Sequence, residues 1–403
     1  MASKRLIIVA GHTCLDIIPT LTGDVSQLAK VLEPGGMWLA GPMVLSTGGA
    51  VPNTGLALHR LGTPVRLVGK VGDDLVGQVT LALIRQQGDH LAESMIVAAG
   101  ADSAYTVIIS SPAIDRTFLH FPGPNDTFCA ADVSTAALEG GSILHFGYPS
   151  LMRQMYLDEG AELVALLRRA RHQGLVTSLD LSLPDADSEA GSVDWRELLR
   201  RVLPHVDVFL PGVEEVLWML DAQRTARLVD EAGGGPLLAQ VDGALLDEMT
   251  ALLLEFGPAV VGLKLGTQGM LLRTTADRDR LAALAGLIPG HRRAWLNREL
   301  LVPAFQADLV GTTGAGDCAV AGFLTALARG LDPEAALTSA VAVGACNVEA
   351  ADAVSGVPTW EAVQLRIAAG WPQIPTTLRL RGWGWEPDRR LWIGPWDRGG
   401  LIA

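Results

Sequence analysis

Gly311-Thr312-Thr313-Gly314-Ala315-Gly316-Asp317 runs straight into Cys318-Ala319-Val320-Ala321-Gly322-Phe323-Leu324-Thr325-Ala326-Leu327-Ala328-Arg329, and the fold is decided there. In the second half Val320, Phe323, Leu324 and Leu327 recur at i, i+3, i+4 and i+7, one apolar stripe at the helical period. Gly330 and Pro333 supply the stop. The first half is therefore a glycine-rich turn that opens a helix. Such a turn presents unpaired backbone N–H groups and the positive end of a helix dipole, a site suited to an anion. Gly314, Ala315 and Gly316 are small enough for a phosphate to approach the main chain. Asp317 in the first turn has two readings. It either caps the helix electrostatically or takes a proton from a hydroxyl beside the anion site.

Size and charge narrow the classes around this stretch. A chain of 403 residues with 49% hydrophobic content can bury a large core. The net charge of −13 argues against a nucleic-acid partner, because no excess of Lys and Arg exists to neutralise phosphates. Cys14, Cys129, Cys318 and Cys346 form no C-x-x-C pair, which suggests reduced thiols rather than a disulfide framework or a zinc site. The apolar run near the start stops at His12 and Asp16, too early for a signal peptide. No uncharged apolar run has the length of a membrane span. A cytoplasmic protein with no membrane partner is the expectation.

Working outward, Leu6–Ala10 is a short continuous apolar run, expected as a buried parallel strand ending near Asp16. Thr47-Gly48-Gly49-Ala50-Val51-Pro52-Asn53 leads into a short helix, which Asn53 could simply cap. A strand at Leu67 is followed by glycines at 69, 72 and 77 around Asp74. Residues 105–110 and 117–121 alternate as a hairpin. Strand-like runs at 142–146, 175–180, 206–210 and 259–265 alternate with helical patterns, the signature of a mostly parallel sheet with both faces covered. Gly266-Thr267-Gln268-Gly269 follows the last of them.

Taken together, Gly48-Gly49 with Asn53, the glycine-punctuated turn around Asp74, and Thr312-Thr313-Gly314-Ala315-Gly316-Asp317 resemble, in order, the signatures of the ribokinase-like (PfkB) sugar and nucleoside kinases. The resemblance covers roughly residues 5–365. It implies an α/β fold with a mostly parallel central sheet, helices on both faces and a small β lid. Residues 1–16, 46–95 and 125–370 would form the core, and 17–45 and 96–124 the lid. It further implies ATP as phosphoryl donor, Mg²⁺ as its companion, and a sugar or polyol as acceptor. Asp317 would be the base, with Gly314, Ala315 and Gly316 as anion hole. Asp16, Gly48, Gly49 and Asn53 would hold the acceptor. Gly266, Gly269 and Thr313 would lie at the nucleotide, and Glu215 would organise magnesium and its waters. A nucleoside kinase, or a degenerate sugar- or nucleotide-binding sensor, are the alternatives.

The chain departs from the family pattern at two positions. Gly311 stands where the signature opens with Asp, and Gly212 where N-x-x-E opens with Asn. The first departure bears on a potassium-like ion beside the anion hole. Either Asp352 supplies the missing charge from across the site, or it faces solvent and the cation site is lost. Segments 221–256 and 274–300 look longer than the family needs and are expected to be surface insertions. The tail from 371 to 403 carries Trp371, Trp383, Trp385, Trp392 and Trp396 and lies beyond the resemblance. So many indoles should pack on the body or on the partner subunit of a homodimer.

Overall fold

The computed structural model describes residues 5–21, 34–35, 37, 39–111 and 114–398. The parts of the expected lid at 22–33, of its hairpin turn at 112–113, and of the tail at 399–403 lie outside the described residues. The strands in chain order are β1 (Leu6–Gly11), β2 (Cys14–Leu21), β3 (Ala40–Gly48), β4 (Val65–Val68), β5 (Lys70–Gly72), β6 (Ile96–Ala98), β7 (Tyr105–Ser111) and β8 (Ile114–Phe121). They continue with β9 (Gly141–Gly147), β10 (Val176–Asp180), β11 (Val208–Phe209), β12 (Val260–Lys264), β13 (Met270–Thr274), β14 (Glu299–Val302), β15 (Gly384–Glu386) and β16 (Leu391–Ile393).

Ten of them form one sheet in the order β15-β16-β14-β13-β12-β11-β10-β9-β1-β4. Pairing is parallel from β4 through β12 and antiparallel from β13 onward. The continuous apolar runs are explained by burial on both faces. Ile7 and Val9 of β1 pack into one core with the helices Ala50–Arg60, Ala315–Ala328 and Pro333–Asn347. Ile8 and Ala10 pack into the other, with the helices Ala161–His172, Trp195–Val202 and Gly243–Glu255. From β1 the chain leads on to β4 at one side and from its other neighbour, β9, to β10 at the other, so the connections diverge between β1 and β9. Parallel sheets bind ligands at such a switch point.

A second sheet, β3-β2-β7-β8, forms the lid. Its bounds differ from the expected ones. β2 begins at Cys14 and β3 runs to Gly48, so Asp16 and Gly48 belong to lid strands, with Asp16 opposite Ser46 and Gly48 opposite Cys14. The segment at 96–98 instead pairs with β5 in a separate two-stranded ribbon.

The two supposed insertions are part of the covering layer. Leu246 and Leu253 of the first are fully buried, as are Leu284, Ile288 and Trp295 of the second. Trp295 meets Phe323 edge-on at 6.0 Å. Arg280 clamps the second segment to the body through Asp207 at 2.6 Å and the Val206 carbonyl at 2.6 Å. An amphipathic run next to an uncovered sheet face packs onto it whatever the usual length of a family.

The tail extends the main sheet by β15 and β16 and covers the edge of β14, which would otherwise present unpaired backbone groups. Trp371 is its anchor. It is buried, stacks on Phe305 at 4.7 Å, lies under the Arg366 guanidinium at 3.5 Å, and donates Nε1–H to the Gln306 carbonyl at 2.6 Å. We expect Trp371→Ala to destabilise the fold by about 3–5 kcal/mol, the usual cost of emptying a buried indole site. Urea denaturation would measure it. A midpoint equal to wild type would show the tail to be an ornament on a self-sufficient core.

Candidate active site

The site lies at the C-terminal ends of β1, β9, β10 and β12, where the helix Ala315–Ala328 begins. Gly314 precedes that helix with φ 72, and a side chain there would strike the backbone of Ala353. Only glycine meets both demands. The N–H groups of Gly314 and Gly316 have no backbone acceptor among the described residues, while that of Ala315 makes a long 3.3 Å bond to the Thr312 carbonyl. Two of the three expected donors are thus open, and the third is held in the turn. The Thr313 carbonyl accepts from Asn347 Nδ2 at 2.8 Å, which ties the turn to the helix Pro333–Asn347.

Asp317 is 2% exposed. Tyr148 donates its hydroxyl to the carboxylate at 2.8 Å, Asn53 Nδ2 donates at 3.0 Å and Thr54 Oγ1 at 3.5 Å. Burial pushes the carboxyl up from its ordinary value, against the pull of Lys264 and these three donors. A raised, oriented carboxyl is a better proton acceptor than a solvated one. Asn53 lies inside its helix rather than at the cap, which is Gly49. Tyr148 holds its place from a left-handed backbone, φ 65 and ψ 48, just past β9. Such a conformation in a bulky residue is costly and is kept where the surroundings impose it.

Asp16 and the paired glycines meet Asp317 here. A Cβ on Gly48 would collide with the Asp16 carboxylate, and one on Gly49 would come within 2.5 Å of His12 Nδ1. Burial raises the Asp16 carboxyl to about 6, with a contribution from Asp317. If Asp16 accepts acceptor hydroxyls as a carboxylate, kcat/KM for the acceptor should fall as pH drops through about 6. Asp16→Asn should lose this part of the acid limb and weaken acceptor binding by about 1.5–3 kcal/mol, with ATP binding nearly unchanged. An unaltered acid limb in the variant would refute the assignment.

Three residues that sequence reasoning missed complete the site: Tyr148, Asp180 and Lys264. Lys264, the last residue of β12, places Nζ 2.7 Å from both oxygens of Asp180, at the end of β10. A Cβ on Gly316 would lie 3.5 Å from Nζ, so the ammonium sits directly against the anion-binding turn. The Lys264 side chain is 15% exposed, whereas Asp180 is fully buried. Burial pushes the Asp180 carboxyl up to about 7 against the pull of the ammonium, and the surrounding carboxylates raise Lys264 despite its desolvation. The one available signal was a polar residue at the end of each apolar strand.

Glu215 completes the charge cluster. Its carboxylate takes the space a side chain at Gly212 would need. Glycine therefore replaces asparagine because the glutamate folds back onto the helix start. Glu215 Oε2 is buried without a partner, and burial raises this carboxyl too. Gly266 (φ 51) opens the tight turn after β12 and has only Leu238 at the edge of contact, so a ligand can approach it. Gly269 instead packs on the backbone of β14. Its absent side chain serves the fold.

At Gly311 the Ala350 and Ala351 carbonyls come within 2.9 and 3.1 Å of where a Cβ would stand. Close packing of two loops accounts for that glycine. Asp352 Oδ1 accepts the N–H groups of Val354 at 2.9 Å and Ser355 at 2.7 Å. Those bonds hold its carboxyl below the usual range despite partial burial. The Asp352 carboxylate thus closes its own turn, while backbone carbonyls face Gly311.

Comparison with known proteins shows the family. The profile described as "pfkB family carbohydrate kinase" matches residues 4–360. The chain belongs to that family. It is 23% identical to an uncharacterised sugar kinase of Archaeoglobus fulgidus over 304 residues, 75% of this chain and 98% of the relative. It is 23% identical to fructokinase-1 of Oryza sativa subsp. japonica over 370 residues, 88% of this chain and 95% of the relative. Among solved structures, the fructokinase of Xylella fastidiosa with bound ATP superposes with a TM-score of 0.66 at 18% identity, covering 91% of this chain and 99% of that one. The ribokinase of Arabidopsis thaliana complexed with ribose and ATP gives 0.66 at 18%, covering 90% and 98%. The pfkB chain described here thus has the ribokinase-like fold. Among its described residues, no helix is long and apolar enough to cross a membrane.

Proposed function

We propose that this pfkB-family carbohydrate kinase transfers the γ-phosphoryl group of ATP to a hydroxyl of an uncharged sugar or related polyol. The observation that carries the reading is the Asp317 carboxylate, buried, held by Tyr148 and Asn53, and one residue beyond an open anion-binding turn. Asp317 takes the proton of the attacking hydroxyl. The N–H groups of Gly314 and Gly316, with Ala315 once its long bond to Thr312 yields, meet the charge of the transferring group. Lys264 adds a positive charge at the same turn. Asp16 and Asn53 position the acceptor, and exclusion of water under the lid removes the competing hydrolysis.

No group of three or more His, Cys, Asp or Glu among the described residues could hold a metal ion by itself. Magnesium keeps several waters and binds through phosphates, so an incomplete protein cage suits it. Glu215, with its unpartnered Oε2, is the carboxylate placed to hold one of those waters. When bound with the nucleotide, Mg²⁺ would neutralise the charge of the phosphates.

The test is a screen of sugars, polyols and nucleosides with ATP and Mg²⁺, read as ADP release. Turnover with a neutral sugar or polyol is expected. Turnover with nucleosides alone would move the acceptor class. No turnover with any acceptor would favour a sensor.

A further inference from the structure

His12 stands just past β1, and its backbone is fixed from both sides. Its N–H donates to the Gly147 carbonyl at 3.2 Å and its carbonyl accepts from Val51 at 3.1 Å. The imidazole is 2% exposed, and neither Nδ1 nor Nε2 has a hydrogen-bond partner among the described residues. By contrast, the core histidine His145 is bonded through Nδ1 to Ser178 at 3.0 Å. An unmade hydrogen bond on a buried polar group costs about 1–3 kcal/mol. With both nitrogens bare, partners are left to a ligand or a bound water, and only at His12 are both ring nitrogens in that state among the described residues.

The surroundings say which ligand. The His12 ring lies 5.2 Å from that of His120 on lid strand β8 and 6.3 Å from that of Tyr148, which holds the base. Its Nδ1 borders Gly49, and Asp16 borders Gly48 next to it. Asn53 Oδ1, on a residue bonded to Asp317, is also buried and unpartnered. His120 Nδ1 is engaged with Thr106 Oγ1 at 3.0 Å, so it does not satisfy His12. Burial, with a smaller push from His120, lowers His12 to about 3, so the ring is neutral near pH 7. A neutral imidazole has one donor and one acceptor, the complement of a hydroxyl and a poor match for a phosphate or carboxylate.

We propose that His12 is a specificity-determining residue of the acceptor site, hydrogen-bonding a hydroxyl of an uncharged sugar or polyol alongside Asp16 and Asn53. This rests on the kinase reading for the identity of the site. His12 touches the acceptor and takes no part in proton transfer, which belongs to Asp317.

The test uses the full chain and measures binding by calorimetry. Probes are D-fructose, D-ribose, D-mannitol, the single-deoxy forms of whichever binds best, and fructose 6-phosphate and ribose 5-phosphate. In wild type one deoxy form should bind about tenfold or more weaker than its parent. In His12→Leu the parent should weaken to the level of that deoxy form, and the deoxy form should lose nothing further. His12→Asn should recover part of the loss and guards against misfolding of the leucine variant. ATP affinity should stay within about twofold in both. Equal losses for every deoxy form in wild type and variant, or a parallel loss of ATP binding, would make His12 structural and end the proposal. Preference for the sugar phosphates, or no binding of any neutral probe, would end it as well. ADP release is read separately. Binding without turnover counts against the kinase reading and leaves the His12 result standing.

Discussion

Asp317→Asn should lower kcat by about 10²–10⁴ and leave ATP binding largely intact. The change preserves size and removes basicity. Asparagine can still accept the Tyr148 hydroxyl, so the packing of the helix start survives and the loss can be charged to proton transfer. In wild type, burial raises the carboxyl above its ordinary value, which makes it a stronger base for an alcohol. Single-turnover phosphorylation against nucleotide binding would separate the two effects. A variant with near-full turnover would mean that the acceptor proton leaves by another route and that Asp317 only caps its helix.

The second large effect concerns Lys264. Its Nζ lies 2.7 Å from both oxygens of a fully buried carboxylate, so Lys264→Met leaves Asp180 without its counter-ion. Breaking a buried pair from one side typically costs about 3–5 kcal/mol. Activity should fall too, by about 10²–10³, the usual loss when a donor facing developing charge is removed. The two losses are separable. Lys264→Met combined with Asp180→Asn should regain much of the stability and none of the rate, because the neutral pair no longer strands a charge and the anion turn still lacks its cation. If the double variant recovers turnover together with stability, Lys264 serves only to neutralise Asp180, and its place in the mechanism falls.

Local periodicity and turn chemistry were enough for part of this account. A 3.6-residue stripe after a glycine turn makes the helix Ala315–Ala328 wherever it lies, and burial on both faces needs continuous apolar runs such as Leu6–Gly11. Asp317, Asp16, Asn53 and Glu215 were singled out by short motifs that resemble a family pattern, each legible within a few residues. Their convergence on one site follows from the parallel sheet, which brings its strand ends to one side.

Other features depended on distance through space. Lys264 and Asp180 are 84 residues apart and meet because β10 and β12 flank β11. Tyr148 reaches Asp317 across 169 residues from a backbone conformation that no propensity favours. The two departures from the family pattern became intelligible only in three dimensions, where Glu215 fills the space beside Gly212 and the loop at 350–351 closes on Gly311. The indoles of the tail were expected on the body or on a partner subunit, and β16, which carries Trp392, lies beside β14. Short-range order is written in residue type and spacing. Which buried charge meets which, and which imidazole is left without a partner, depends on packing between segments far apart in the chain, which no local pattern encodes.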